Sequence, residues 1–419
     1  MRAIKTIGIL FAVVLATAAV TVAGLVWLPG TLVPDASATT SAALWPEATA
    51  ERAVVQPLPP VERFTILAVG DLMAHTPQLT SARTADGYDF EPCFEPVASR
   101  IAEADLAIGN LETTLSGPER GYTGYPMFNT PDTFAEALVG AGFDVLTTAN
   151  NHTLDRGPAG LTRTLDVLDG LGAQHTGTAR TAEEAERVLM VDVGEARVAV
   201  LAYTYGMNGF IAPADKKWMV NTIDTVRMAA DVARARELEP DLVIVSIHNG
   251  VEYQRQPSES QKRVETAMLE AGADVVLGSH PHVIQPMETV ELTGKDGSTR
   301  TGFIIHSLGN FISNQRERYR NTGLLLSLGF EKDLRSGITT LVSAEYVPVW
   351  VDDTDEDGKL HRVLPIGDVL ADVAYPGVDT VDRTRIQQAW DDTTSHLGGS
   401  TSAAADPAGM RFYDAGASQ

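Results

Sequence analysis

The sequence predicts an α/β domain with a mixed sheet system and helices outside it. Three features point that way: six apolar runs that each end in small and polar residues, helical periodicity between those runs, and a hairpin signal with further strands toward the C-terminus. The hairpin and late strands make the sheets mixed rather than purely parallel. At 419 residues the chain has room for two to three domains, or one large α/β domain with a smaller partner, and its 44% hydrophobic content is ample for a core.

The first run, Phe64 to Val69, closes on Gly70 and Asp71, where glycine lets another backbone approach closely. The second ends at Gly109 and delivers Asn110 and Glu112, which share one side if the strand continues. The third, Phe143 to Ala149, leads to Asn150, Asn151 and His152, then Asp155. Pro158 opens a helix there, with Leu161, Leu165 and Leu168 at helical spacing. The fourth, Asp241 to Ile247, delivers His248, Asn249 and Glu252. The fifth, Ala273 to Leu277, leads through Gly278 and Ser279 to His280 and His282, held apart by φ-restricted Pro281 in a stiff fork. The sixth, Gly302 to Ile305, leads to His306, Gly309 and Asn310.

Helical patterns fall at about 131–142, 158–172, 221–237 and 257–271. Apolar runs from Val188 to Tyr203 flank a turn at Val193 to Ala196, and Leu324 to Val349 reads as more strands. A short strand near Val363 and a helix near 381–395 follow.

Taken singly, each strand end reads as a turn or a cap. Five of them together bring Asp71, Glu112, Asn151 with His152, His248, and the His280/His282 pair to the edge where such sheets bind ligands, and these polar groups are costly there unless something satisfies them. Imidazoles mixed with carboxylates suit Zn²⁺, Mn²⁺ or Fe, and their number suits two ions sharing an activated water.

The N-terminal region has a different character. Ile7 to Leu28 is an uncharged run long enough to span a bilayer, with Arg2 and Lys5 before it. It predicts a single-pass anchor with the globular part outside the cell. Cleavage after Ala38, in a small-x-small site, would instead release a secreted chain. Residues 29–60 read as a flexible tether, 61–350 as the main domain, 351–397 as an extension packed on it, and 398–419 as a disordered tail. Lone Cys93 excludes an intramolecular disulfide. A net charge of −23 argues against a nucleic-acid surface. Arg316, Arg318 and Arg320 nevertheless form a local basic cluster able to hold carboxylate or phosphate.

In their order, the motifs at Gly70-Asp71, Asn110 to Glu112, Asn150 to Gly157, His248 to Tyr253, His280 to Val283 and Ser307 to Phe311 resemble the CapA family of poly-γ-glutamate capsule biosynthesis proteins, related to calcineurin-like metallophosphatases. The resemblance spans about residues 64–315. It implies a four-layer α/β/β/α sandwich holding one or two divalent ions (Mn, Zn or Fe). It also implies action on an anionic surface polymer or a phosphoester, beside other capsule-synthesis membrane proteins. Within it Asp71, Glu112, Asn151, His248, His280 and His282 correspond to metal ligands, with Glu112 bridging, and His152 to the acid near the leaving group. Asn110, Glu252, Asn310 and Arg316 are placed around the substrate. Two departures stand out: Met73 occupies the position of a first-motif histidine, with His75 two residues late, and Asn249 and Ser279 replace a tryptophan and a histidine. A non-catalytic polymer-binding subunit of an export complex is the alternative reading.

Overall fold

A computed structural model describes residues 60–294, 297–352, 361–373, 375–398 and, as backbone, 411–413. The run at 7–28, the tether up to residue 59 and most of the tail lie outside the described residues. Among those described, no helix is long and apolar enough to cross a membrane.

The chain builds one sheet, leaves it for a second, and returns. Strands β1 (Val61–Leu72), β2 (Leu106–Leu111), β3 (Val145–Thr147) and β4 (Gln174–Thr176) run parallel in the first sheet. The second sheet holds β5 (Leu189–Val193), β6 (Ala196–Thr204), β7 (Leu242–His248), β8 (Val275–Ser279), β9 (Met287–Thr293) and β10 (Thr299–Ile305), in the order β5-β6-β7-β8-β10-β9. Then β11 (Asn310–Ile312) joins β1, and β12 (Thr322–Asp333), β13 (Thr339–Asp352) and β14 (Arg362–Pro365) extend the first sheet antiparallel. The hairpin expected at Val193 to Ala196 is the β5–β6 connection. In the tail, Arg411–Tyr413 forms β15 against β13, a pairing that its Ser/Ala/Gly-rich surroundings did not suggest.

The period-two alternation of the strands decides the layering. On β1, Ile66 and Ala68 meet Val198 and Val200 of β6 and Ile244 of β7 in a core between the sheets. The alternate residues Leu67 and Val69 face outward onto Phe94, Val97 and Leu138, from helices α2 (Glu91–Ala102) and α3 (Asp132–Gly140). The second sheet repeats this, with Ala199 and Leu201 packed on Met228, Val232, Met268 and Leu269. The result is α/β/β/α with mixed sheets, as expected.

The four expected helical patterns are α3, α4 (Gly157–Leu171), α6 (Thr225–Glu237) and α7 (Glu259–Ala271). Between them lies the short α5 (Ala182–Ala185), and α1 (Thr76–Ser81) precedes α2. Helix α6 starts at Thr225 rather than near 221 because the Asp224 carboxylate accepts from the amides of Val226 and Arg227. Helix α2 was not foreseen, because Pro92 and Pro96 interrupt its pattern. Burial of Cys93, Phe94, Val97 and Ile101 on one face outweighs the lost backbone bond. C-terminally, α8 (Ile366–Leu370) and α9 (Thr380–Leu397) cover Trp350 of β13 with Ile366, Val369, Ile386 and Ala389.

Two glycines set how closely the backbones meet beside the strand ends. A Cβ on Gly70 would fall on the carbonyl oxygen of Gly309, and one on Gly278 on that of His306. Both glycines lie in the last residues of their strands, Gly70 next to Asp71 in β1 and Gly278 at the end of β8, just before the histidine fork.

Candidate metal centre

Asp71 ends β1 between Asn110 of β2 and Asn310 of β11, its register partners. The Asn110 amide donates to one Asp71 oxygen (2.8 Å), and His282 Nδ1 lies 3.0 Å from the other. The same His282 nitrogen is 3.0 Å from Asn310 Oδ1, while the Asn310 amide donates to the Arg320 carbonyl (2.7 Å). Asn110 and Asn310 are both buried and do not line the cleft. The expectation of substrate contact thus meets a different placement: they fix Asp71 and His282 from behind.

Glu112 follows β2 and is fully buried. Neither of its oxygens has a hydrogen-bond partner. Around its Oε1 stand His248 Nε2 at 3.6 Å, His282 Nε2 at 3.9 Å and His152 Nε2 at 4.0 Å. These separations are too long for hydrogen bonds, but ligands about 2.1 Å from a shared ion lie about 3–3.5 Å apart. An unpaired buried carboxylate is costly, and a cation between it and the imidazoles would remove that cost.

Two groups of three bring their ligand atoms within 4.8 Å of one another: Asp71, Glu112 and His248, and Glu252, His280 and His282. Asn151 adds an oxygen, with Oδ1 3.0 Å from His248 Nε2. Glu252, expected at the substrate, joins the fork from its exposed position after β7. Buried His280 Nδ1 has no hydrogen-bond partner. His280 and His282 both have positive φ, 98° and 57°, and such strain in non-glycine residues is characteristic of sites where geometry serves function. The donor set fits a divalent ion on these grounds: oxygen and imidazole ligands, with an orphaned carboxylate at the focus.

The electrostatics favour the ligand forms of the histidines. Burial and the neighbouring imidazoles push His248 well below its ordinary range and His280 down to about 3, so both are neutral. For Asp71, burial alone would raise the carboxyl, but the His282 hydrogen bond, nearby His248 and the Asn110 amide together hold it below the usual range. Burial and the adjacent Asp71 raise Glu112 well above it.

His152 follows Asn151 and lines the cleft beside it. Its Nδ1 lies 2.8 Å from Asp155 Oδ2, which also accepts from the Phe128 amide (2.6 Å). Phe128 packs edge-on against the imidazole at 4.6 Å. This fixes the ring, with Nε2 toward Glu112 and within 3.5 Å of the Asn208 amide. His152, Asn151, Glu252, Tyr253 and His282 line a cleft of about 450 Å³.

Met73 and His75 line the same cleft. His75 does not replace the first-motif histidine: its Nδ1 accepts from the Asn314 amide at 3.2 Å, and it joins neither ligand group. Burial lowers it to about 3. Ser279, where a histidine was expected, places Oγ 3.0 Å from His248 Nδ1 and so orients that ring. Arg316 lies outside the cleft, in a separate pocket against α9.

The loop after β6 was not foreseen. Tyr205 packs on His280 with ring centroids 4.5 Å apart, and Asn208 reaches both Asn151 and His152. The signal was present in an apolar run ending at Thr204 and followed by Gly206 and Asn208-Gly209.

The profile of the bacterial capsule synthesis protein family PGA_cap matches residues 65–315, which contain every residue of both ligand groups. The capsule biosynthesis protein CapA of Bacillus anthracis is 28% identical over 264 residues, 61% of each chain. The PGA biosynthesis protein CapA of Bacillus subtilis is 28% identical over 262 residues, 59% of this chain and 62% of that one. The match thus spans about three fifths of these relatives' length. A solved calcineurin-like phosphoesterase of Bacillus subtilis aligns at 15% identity with a TM-score of 0.37, covering 80% of this chain and 99% of the other. With the motifs in order and the family profile matched over more than half its length, the chain belongs to the PGA_cap family of bacterial capsule synthesis proteins.

Proposed function

We propose that this chain is a divalent-metal-dependent hydrolase or transferase acting at a phosphoester or acyl bond in the synthesis, export or attachment of an anionic surface polymer such as poly-γ-glutamate. The observation that carries this reading is Glu112: a fully buried carboxylate without a hydrogen bond on either oxygen, ringed by imidazole nitrogens, two of them from His152 and His282, which line the cleft. Asp71, Glu112, Asn151, His248, His280, His282 and Glu252 would hold one or two ions of Mn, Zn or Fe. Such an ion supplies Lewis acidity and an activated water. His152, with Nδ1 held by Asp155, presents Nε2 to the cleft and gives its proton to the leaving group. The run at 7–28 anchors the chain in the cytoplasmic membrane with the catalytic domain outside. If it is cleaved after Ala38, the domain is secreted.

Met73 at the first-motif position favours a second reading, a polymer-binding subunit of an export complex using the same cleft without turnover. The two separate on His152→Ala. In an enzyme the variant keeps metal and substrate binding but loses about 10²–10⁴-fold in turnover of phosphoesters or γ-glutamyl peptides. In a binding subunit it leaves surface-polymer output intact while His282→Ala abolishes it. Loss of metal from His152→Ala equal to that from His282→Ala would overturn the acid role and make His152 a ligand.

A further inference from the structure

Beside the metal cleft lies a second cavity of about 240 Å³, between the loop after β11 and helix α9. Its wall carries Arg255, Arg316, Arg318 and Arg385 against a single carboxylate, Asp392. In a chain of net charge −23 such a concentration of guanidinium is exceptional. The loop is rigidly built: Arg318 grips Asp392 with two bonds (2.8 and 2.6 Å), and Arg255 donates to the Asp392 carbonyl (2.8 Å). Arg255 and Arg318 both lie over the Tyr319 ring, at 4.2 and 4.9 Å, and Tyr319 is held at φ 77°. Asp392 is thus engaged by the two arginines that fix the loop, whereas Arg316 and Arg385 bring further positive charge to the same cavity.

The two cavities share their partition. Gln315, Tyr253 and His282 line the metal cleft, while Arg316, Arg255 and Ile284, one or two residues further along the same segments, line the arginine pocket. Arg320 stacks on Tyr253 at 3.5 Å and ties the loop to that partition. Buried Ile284, Trp350 and Ala389 give the pocket an apolar floor. A bare inorganic anion makes no use of such a floor, whereas a carboxylate on a short methylene stem uses both floor and arginines.

We propose that this pocket is a carboxylate-binding subsite that holds one acidic residue of a glutamyl chain while a neighbouring part of that chain occupies the metal cleft. The proposal rests on the polymer-directed reading above, but its test is independent of metal and turnover. Full-length protein in detergent micelles, treated with EDTA, is titrated with a fluorescent γ-glutamyl oligomer. Arg385→Glu and Arg316→Glu are compared with Arg335→Glu, which makes the same charge change on the exposed turn between β12 and β13. The expected result is an affinity lowered about tenfold or more by each pocket substitution, with wild-type affinity in Arg335→Glu and unchanged metal uptake in all three. Equal weakening in all three variants, or in none, overturns the subsite, as does displacement of the oligomer by inorganic phosphate at equal concentration. Failure of the His152 test leaves this binding result standing, so the two readings fall separately.

Discussion

Replacing Glu112 by glutamine interrogates the centre through its protons. Burial and Asp71 raise the Glu112 carboxyl well above its ordinary range in the folded, metal-free protein. Between the unfolded value of about 4.3 and that raised folded value, the folded chain keeps a proton that the unfolded chain has lost. Stability therefore falls as pH rises through this window, by about 1.4 kcal/mol per pH unit from this one group. Glu112→Gln has no titrating group there. Urea unfolding of the EDTA-treated proteins at a series of pH values above about 4.3 should show the variant gaining on the wild type, at up to that slope, until the raised folded value is reached. A divalent ion takes the proton's place, so calorimetric titration with Mn²⁺ at a pH inside that window, in buffers of different ionisation enthalpy, should register more proton release by the wild type than by Glu112→Gln. Parallel pH profiles in EDTA, together with equal proton release by the two proteins, would refute the assignment of Glu112 as the focus of the metal centre.

Three further outcomes are expected. His282→Ala should weaken metal binding about 100-fold or more in an equilibrium titration while leaving the fold intact, because its ring faces Asp71 and Glu112 rather than the core. Gly278→Ala should cost about 1–3 kcal/mol or more, read as a lower urea midpoint at unchanged slope, because the new methyl meets the His306 carbonyl and backbone has little room to yield. For His306, burial alone would lower the imidazole, but hydrogen bonds to Glu265 (2.6 Å) and Glu288 (3.1 Å) outweigh it and raise it. Its stabilising contribution is therefore full below about pH 6.5 and lost as pH rises through the higher folded value. The gap in unfolding free energy between wild type and His306→Gln should accordingly narrow as pH rises above about 6.5.

The strand ends were legible because each couples two local signals, an apolar run and the small or polar residues that close it, and both are written within a few consecutive residues. The same locality made α3, α4, α6 and α7 readable, and it failed at α2, where the proline signal is local but the burial that overrides it comes from β14 and α3 packing against that helix. From the sequence alone came the fold class, the ligand candidates Asp71, Glu112, Asn151, His248, His280 and His282, and the family resemblance. Where each candidate sits within the site depends on contacts over long sequence separations, and only the tertiary structure decided that. Asn110 and Asn310 lie behind the candidate ligands Asp71 and His282 because β2 and β11 flank β1 in register. Glu252 joins the histidine fork because the parallel ends of β7 and β8 bring their loops together. Arg316 lies outside the cleft because α9, some 70 residues further along the chain, forms the other wall of its pocket. Side-chain identity and local pattern set which groups reach a sheet edge, whereas strand order and register set which of them face one another.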